Sequence, residues 1–138
     1  MNRVRPATPP AEMVSTGRAC RPPVFRPDPT HFWERDRTRA CQAVPDGNGF
    51  LMFYVVFADV DDAAIGLARS PDSVSDWVRH PANPLIAPGT SGAAWDRDAV
   101  YKPFAIRRGA RWLPWYNGRR VTTEQIGLAV HDGANLGL

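Results

Sequence analysis

The sequence predicts an all-β protein composed of two four-stranded antiparallel units of the kind that form β-propeller blades. Three observations predict it. The first is an internal repeat of 62 residues: Trp33-Glu34-Arg35-Asp36 returns as Trp95-Asp96-Arg97-Asp98, and Phe50-Leu51-Met52-Phe53-Tyr54 as Trp112-Leu113-Pro114-Trp115-Tyr116. Pro22-Pro23-Val24 matches Pro84-Leu85-Ile86 at the same offset, and Ile65-Gly66-Leu67-Ala68 matches Ile126-Gly127-Leu128-Ala129 one residue short of it. A fixed period of tens of residues marks a solenoid, a propeller or an array. The second observation is that glycine and proline interrupt every stretch long enough to be a helix. The third is a series of short aromatic and β-branched runs bounded by turn residues.

In chain order, residues 1–21 fit neither copy and are expected to be a disordered or unrelated leader, rich in Pro and Arg without an apolar pattern. The first unit spans residues 22–83. Arg39–Val44 is a short apolar strand, and Phe50–Phe57 follows the hairpin signal Asp46-Gly47-Asn48-Gly49. Ala63–Ser70 follows the acidic turn Asp59-Val60-Asp61-Asp62, and Trp77–His80 is a short fourth strand ended by Pro81 and Pro84. The second unit spans residues 84–138, with strands Val100–Ile106, Arg111–Asn117 and Gln125–Val130. About four short strands per repeat is a blade with generous loops. A solenoid rung is shorter, and an immunoglobulin-like sandwich does not repeat internally.

Composition narrows the function classes. With 43% hydrophobic and 22% charged residues the chain is globular, and its 138 residues suffice for one domain. The net charge is only +3, with acidic and basic residues interspersed, so nucleic acid is not an expected partner. No stretch of about 20 apolar residues offers a membrane span, and Met1–Pro10 has no apolar core of a signal peptide, so a cytoplasmic location is expected. Cys20 and Cys41 make neither a disulfide framework nor a metal site, and Cys41, in an apolar strand, is expected to pack as a small hydrophobe. No metal or cofactor is expected. The basic residues are almost all Arg, which suggests a GC-rich coding bias; the single lysine, Lys102, has survived it, which suggests that a compact ammonium is needed there.

In an up-and-down sheet the start of the first strand and the loop between the second and third share one rim. That rim collects Glu34, Asp36, Arg37 and Asp59–Asp62 from the first unit, and Asp96, Asp98, Asn117, Arg119, Arg120 and Glu124 from the second. A polar ligand is expected at that end.

With these landmarks placed, residues 22–138 resemble the five-bladed β-propeller glycosidases, the broad group around glycoside hydrolase families 43, 32 and 130. The matching residues are Asp46-Gly47, Phe53-Tyr54, Ile65-Gly66-Leu67-Ala68-Arg69-Ser70-Pro71-Asp72, Trp77 and Asn83-Pro84-Leu85-Ile86. The match continues through Trp95-Asp96, Tyr101-Lys102-Pro103 and Trp115-Tyr116-Asn117-Gly118-Arg119. A bacterial subgroup of glycosidase-like propellers is similar through Glu124-Gln125-Ile126-Gly127-Leu128-Ala129, Asp132-Gly133 and Leu136-Gly137 as well. The resemblance implies a glycoside hydrolase-like protein that acts on carbohydrate in a central funnel. A glycoside phosphorylase and a non-catalytic carbohydrate-binding or scaffold β-propeller module are the alternatives. Family members have about five blades where this chain supplies about two, so the expectation is a C-terminal portion that is inactive alone. Its uncovered blade faces are expected to favour self-association.

Glycoside cleavage needs one carboxylic acid to protonate the leaving oxygen and a second carboxylate to activate water or attack the sugar. Asp98 and Glu124 are the catalytic candidates. Asp36, Tyr101, Lys102, Asn117 and Arg119 are the substrate-binding candidates. The plainer reading of Asp98 and Asp36 is a structural corner, because their motif recurs in both units. Tyr101-Lys102-Pro103 stands where the first unit has Arg39-Ala40-Cys41, and a departure of this kind inside a repeat is the stronger sign of a role. Lys102 suits a sugar hydroxyl, a carboxylated sugar or phosphate; its plainer reading is a channel-wall side chain. For Asn117, Arg119 and Glu124 the plainer reading is a solvated hairpin with an exposed ion pair.

Overall fold

A computed structural model describes residues 23–138; the predicted leader, residues 1–21, lies outside the described residues, as do Cys20 and Pro22. The strands β1 (Arg37–Asp46), β2 (Gly49–Phe57), β3 (Ala63–Ser70) and β4 (Val78–Arg79) form one antiparallel meander. The strands β5 (Ala99–Arg108), β6 (Arg111–Arg120), β7 (Thr123–Leu128) and β8 (His131–Asp132) form a second. A short 3-10 turn, Phe32–Glu34, precedes β1. One parallel pairing, Ala63 with Ala99, joins the two meanders into a mixed open sheet ordered β1-β2-β3-β5-β6-β7. The chain is all-β, and among the described residues no helix is long and apolar enough to cross a membrane.

The sequence repeat is repeated in geometry. Asp36 N–H donates to the Phe57 carbonyl at 3.0 Å, and Asp98 N–H donates to the equivalent Arg119 carbonyl at 3.0 Å. Each first strand bulges at the same place, between Arg39 and Cys41 in β1 and between Tyr101 and Phe104 in β5. The extra residue sits in left-handed backbone in both, Ala40 at φ 29° and Lys102 at φ 52°.

The repeated motifs pack in the same way in each unit. Trp33 lies 6.5 Å from Tyr54, and Trp95 stacks on Tyr116 at 5.8 Å. The glycine of Ile-Gly-Leu-Ala makes room for that tyrosine: a Cβ on Gly66 would sit 2.5 Å from the Tyr54 ring, and one on Gly127 2.7 Å from Trp95 and Tyr116. Asn83 replaces a missing strand partner, accepting from Leu67 N–H and donating to the Leu67 carbonyl, both at 3.0 Å. Asp72 accepts the N–H groups of Val74 and Ser75, and the Ser70 hydroxyl donates to the Ser75 carbonyl, so Ser70-Pro71-Asp72 closes the loop after β3. These hydrogen bonds hold the Asp72 carboxyl well below the usual carboxylate range.

The second unit lacks the fourth strand of a four-stranded unit and keeps the three strands read from its sequence. β7 and β8 pair with β6 in one continuous register, Trp115 with Leu128 and Arg111 with Asp132. They are one strand interrupted opposite Pro114, which accepts Ala129 N–H at 2.9 Å but has no N–H to return. The second unit therefore has three strands among the described residues, with no counterpart of β4.

Within the first meander, β2 and β3 are buried on both faces. Leu51, Phe53 and Leu67 pack on Ala105 and Trp112 of the second unit. Met52, Tyr54, Val56, Ala64 and Ala68 are covered by Phe25, Trp33 and Trp77. Burial on both faces explains why Leu51–Val56 is continuously apolar rather than alternating. Cys41 departs from expectation: it is exposed, because β1 is an edge strand and the bulge at Ala40 interrupts its alternation.

Candidate functional site

Both bulges line a single cleft of about 320 Å³ where the two units meet. Arg39 and Ala40 enter it from β1, Tyr101 and Lys102 from β5, Arg119 from β6, and Asp61 from the loop after β2. β5 and β6 place Tyr101 opposite Asn117, and β6 and β7 place Arg119 opposite Glu124. Side chains directly opposite on antiparallel strands share a face. The result is a polar cluster of Tyr101, Asn117, Arg119 and Glu124, in which Asn117 Nδ2 donates to Glu124 Oε2 at 3.4 Å.

The electrostatics follow from those contacts. The Tyr101 hydroxyl holds the Glu124 carboxyl below its ordinary value, with Asn117, Lys102 and Arg119 adding to the effect. Burial, and then the bond to Glu124, push the Tyr101 phenol up to about 12. Arg119 spans the cleft floor, donating to the Asp61 carbonyl at 3.3 Å and the Val121 carbonyl at 3.1 Å. Lys102 Nζ lies 5.5 Å from the Tyr101 ring centre, and the Arg39 guanidinium 5.4 Å from that of Phe57. Among the described residues, neither Arg39 nor Lys102 forms an ion pair with a carboxylate.

The structure thus brings together Tyr101, Lys102, Asn117, Arg119 and Glu124. Asp98 and Asp36 are used elsewhere. Asp98 Oδ2 accepts the Val121 N–H at 2.5 Å and Oδ1 accepts Arg97 Nε at 3.1 Å. The Val121 bond, with Arg97 behind it, holds the Asp98 carboxyl below its ordinary range. Asp36 pairs with Arg37 Nε at 3.1 Å. Both aspartates close the corner before a first strand.

Of the other cleft residues, Asp61 lies in the rim turn Asp59–Asp62 read from the sequence, whereas Arg39 would have stood out only by comparing the bulge positions of the two copies. A second cluster also escapes the sequence. Glu34 is 0% exposed, its Oε1 accepting Arg79 Nε at 2.6 Å, with His31 Nδ1 3.5 Å away and Asp28 3.2 Å beyond that. Burial pushes the Glu34 carboxyl up, against the opposing Arg79 charge. Asp28, His31 and Glu34 have the spacing of metal ligands, but the Arg79 guanidinium already occupies Glu34 Oε1. The acidic turn closes on itself, Asp59 accepting the N–H groups of Asp61 and Asp62.

Lys102 carries a testable cost. A non-glycine residue in left-handed backbone loses about 1–2 kcal/mol. Lys102→Gly is therefore expected to raise the unfolding free energy by about 1 kcal/mol in chemical denaturation. An unchanged or lower stability would mean that packing of the lysine stem offsets the strain.

No family model and no curated protein matches the chain. Two solved structures share its fold, one named "Glycoside hydrolase" and one a BT0996 complex with RGII in its name. Each is 21% identical with a TM-score of 0.57, and covers 67% of this chain. The chain spans 26% of the length of each, so the likeness is one of fold with about a quarter of a larger protein.

Proposed function

We propose that this chain is a pair of β-propeller blades of the glycoside hydrolase type whose cleft between β1 and β5 holds an acidic sugar. One observation carries the reading: Arg39, Asp61, Tyr101, Lys102 and Arg119 line one cleft, with the hydrogen-bonded Asn117–Glu124 pair opposite Tyr101 and Arg119 in the strand register. Sugar hydroxyls both donate and accept, so they suit a mixed carboxylate, phenol, ammonium and guanidinium lining. Two cations without carboxylate partners suit a ligand that brings its own carboxylate. The repeat, the two meanders and the shared fold with a structure named "Glycoside hydrolase" support the propeller and carbohydrate parts of the reading.

The cleft is suited to holding a sugar rather than cutting it. A glycosidase acid must keep its proton at working pH. Glu124 and Asp98 are both held toward the ionised form, Glu124 by Tyr101 and Asp98 by Val121. The purified chain is expected to leave aryl glycosides intact; turnover would overturn that expectation, and cleavage that inorganic phosphate stimulates would favour a phosphorylase.

Calorimetric titration tests binding. An oligosaccharide bearing a uronic acid is expected to bind about tenfold more tightly than the same oligosaccharide with its carboxyl reduced, a difference of about 1.4 kcal/mol. Lys102→Gly and Arg39→Met are each expected to remove most of that preference. Equal affinity for both sugars, or binding to neither, would refute the acidic-sugar reading.

A further inference from the structure

The cations that line the cleft between the two units are of two kinds. Arg39 and Lys102 have no carboxylate partner among the described residues. Arg119 has one: Asp61, the carboxylate among the lining residues, places its Oδ1 3.9 Å from Arg119 Nη2. Two positive charges in the cleft are thus unanswered, and the third is answered by the chain itself.

The backbone holds that pair in place. The turn Asp59–Asp62 is closed at its base by Ala58 N–H, which donates to the Asp62 carbonyl at 3.0 Å. Asp59 accepts the N–H groups of Asp61 and Asp62, each at 3.1 Å, and Arg37 Nη2 donates to the Val60 carbonyl at 2.9 Å. Arg119 is fixed by the carbonyls of Asp61 and Val121. None of these bonds uses the Asp61 side chain, which is 83% exposed. Nor is its carboxylate part of the plan that the two units share. Arg119 stands where the first unit has Phe57, and the turn after it, Val121-Thr122-Thr123, is one residue shorter than Asp59–Asp62 and carries no carboxylate.

We infer that Asp61 determines where the cleft receives an acidic sugar: by occupying Arg119 it leaves Arg39 and Lys102 as the place for the ligand's carboxylate. The inference rests on the acidic-sugar reading above. A sugar carboxylate brought to Arg119 meets the like charge of Asp61, whereas at Arg39 and Lys102 it meets uncompensated positive charge. Asp61 therefore lowers the affinity for acidic sugars while excluding one of two poses, as repulsive contacts do in selective sites.

Asp61→Asn tests this, because it removes the charge and keeps the backbone bonds of the turn. In calorimetric titration at low ionic strength, the variant is expected to bind the uronic-acid oligosaccharide about threefold more tightly than the parent chain does, in keeping with an exposed ion pair. Its affinity for the carboxyl-reduced oligosaccharide is expected to be unchanged. Lys102→Gly, which alone loses most of the preference for the acidic sugar, is expected to retain about a threefold preference in the Asp61→Asn background, because Arg119 is then free to receive the carboxylate. Three results would overturn the role of Asp61 and leave the acidic-sugar reading intact: equal affinity of parent and Asp61→Asn for the acidic sugar, a loss that falls equally on both sugars, or a double variant with no preference. Binding of neither sugar by parent or variant would refute that reading, and this inference with it.

Discussion

Trp112→Ala is expected to destabilise the protein by about 3–5 kcal/mol, the usual cost of deleting a large aromatic from a packed core. Trp112 is 1% exposed and stands where three parts of the chain meet. Its ring lies 5.8 Å from Phe53 of the first unit, and its indole Nε1 donates to the Ala134 carbonyl at 2.9 Å. Leu136 and Leu138 pack against the same cluster. The substitution therefore removes the contact between units and the anchor of the C-terminal segment together. Urea denaturation followed by circular dichroism measures the loss. A double-mutant cycle with Phe53→Ala should return a coupling of about 0.5–1.5 kcal/mol for the aromatic pair. A loss below about 1 kcal/mol would show that the two units do not depend on this contact.

Arg79→Met should cost about 3 kcal/mol at neutral pH, because it leaves the buried Glu34 carboxylate without its cation. The pH dependence separates this from lost packing. Burial raises the Glu34 carboxyl in the folded chain, so the stability linked to its protonated form is fully present below the unfolded value and is lost as pH rises through the folded one. Arg79 opposes that loss, and without it the loss is larger. The gap between parent and variant is thus expected to be small near pH 4 and to widen above it. Glu34→Gln in the Arg79→Met background should flatten the profile. A residual pH-independent loss is expected from the Arg79 guanidinium, which lies 4.2 Å from the Phe25 ring centre. A parent–variant gap that stays constant from pH 4 to 8 would mean that the ion pair contributes nothing beyond packing.

Much of the fold was legible because it rests on short-range rules. Glycine and proline end the strands, the Asp46-Gly47-Asn48-Gly49 signal turns β1 into β2, and Ala63–Ser70 occupies the predicted strand limits. The motifs of the repeat read as architecture for the same reason: Gly66 and Gly127 leave space for a tyrosine, and Asp36 and Asp98 close equivalent corners. The site was partly legible. Tyr101, Lys102, Asn117, Arg119 and Glu124 were found because they depart from the repeat or border one hairpin. Asp61 was placed on that rim only as part of the turn Asp59–Asp62, and Arg39 was not found, because it reaches the cleft only when the first unit lies against the second. The break between β7 and β8 and the exposure of Cys41 were likewise hidden. One depends on Pro114 interrupting a ladder, the other on a bulge in an edge strand.

The sequence by itself determined that the chain is all-β, where most strands run, and that two units share one plan, since periodicity, turn chemistry and repeated Trp, Tyr and Gly positions act between near neighbours. Only the tertiary structure decided which copy of each feature is buried and which is free. Phe53 and Trp115 occupy the same place in the repeat, yet Phe53 is fully buried and Trp115 only partly so. Arg39 and Tyr101 likewise occupy one place, at the bulge of their unit, and meet in one cleft. The reason is physical: burial is set by what packs against a face, and that partner comes from a distant part of the chain, as Trp112 and Ala105 do for Phe53.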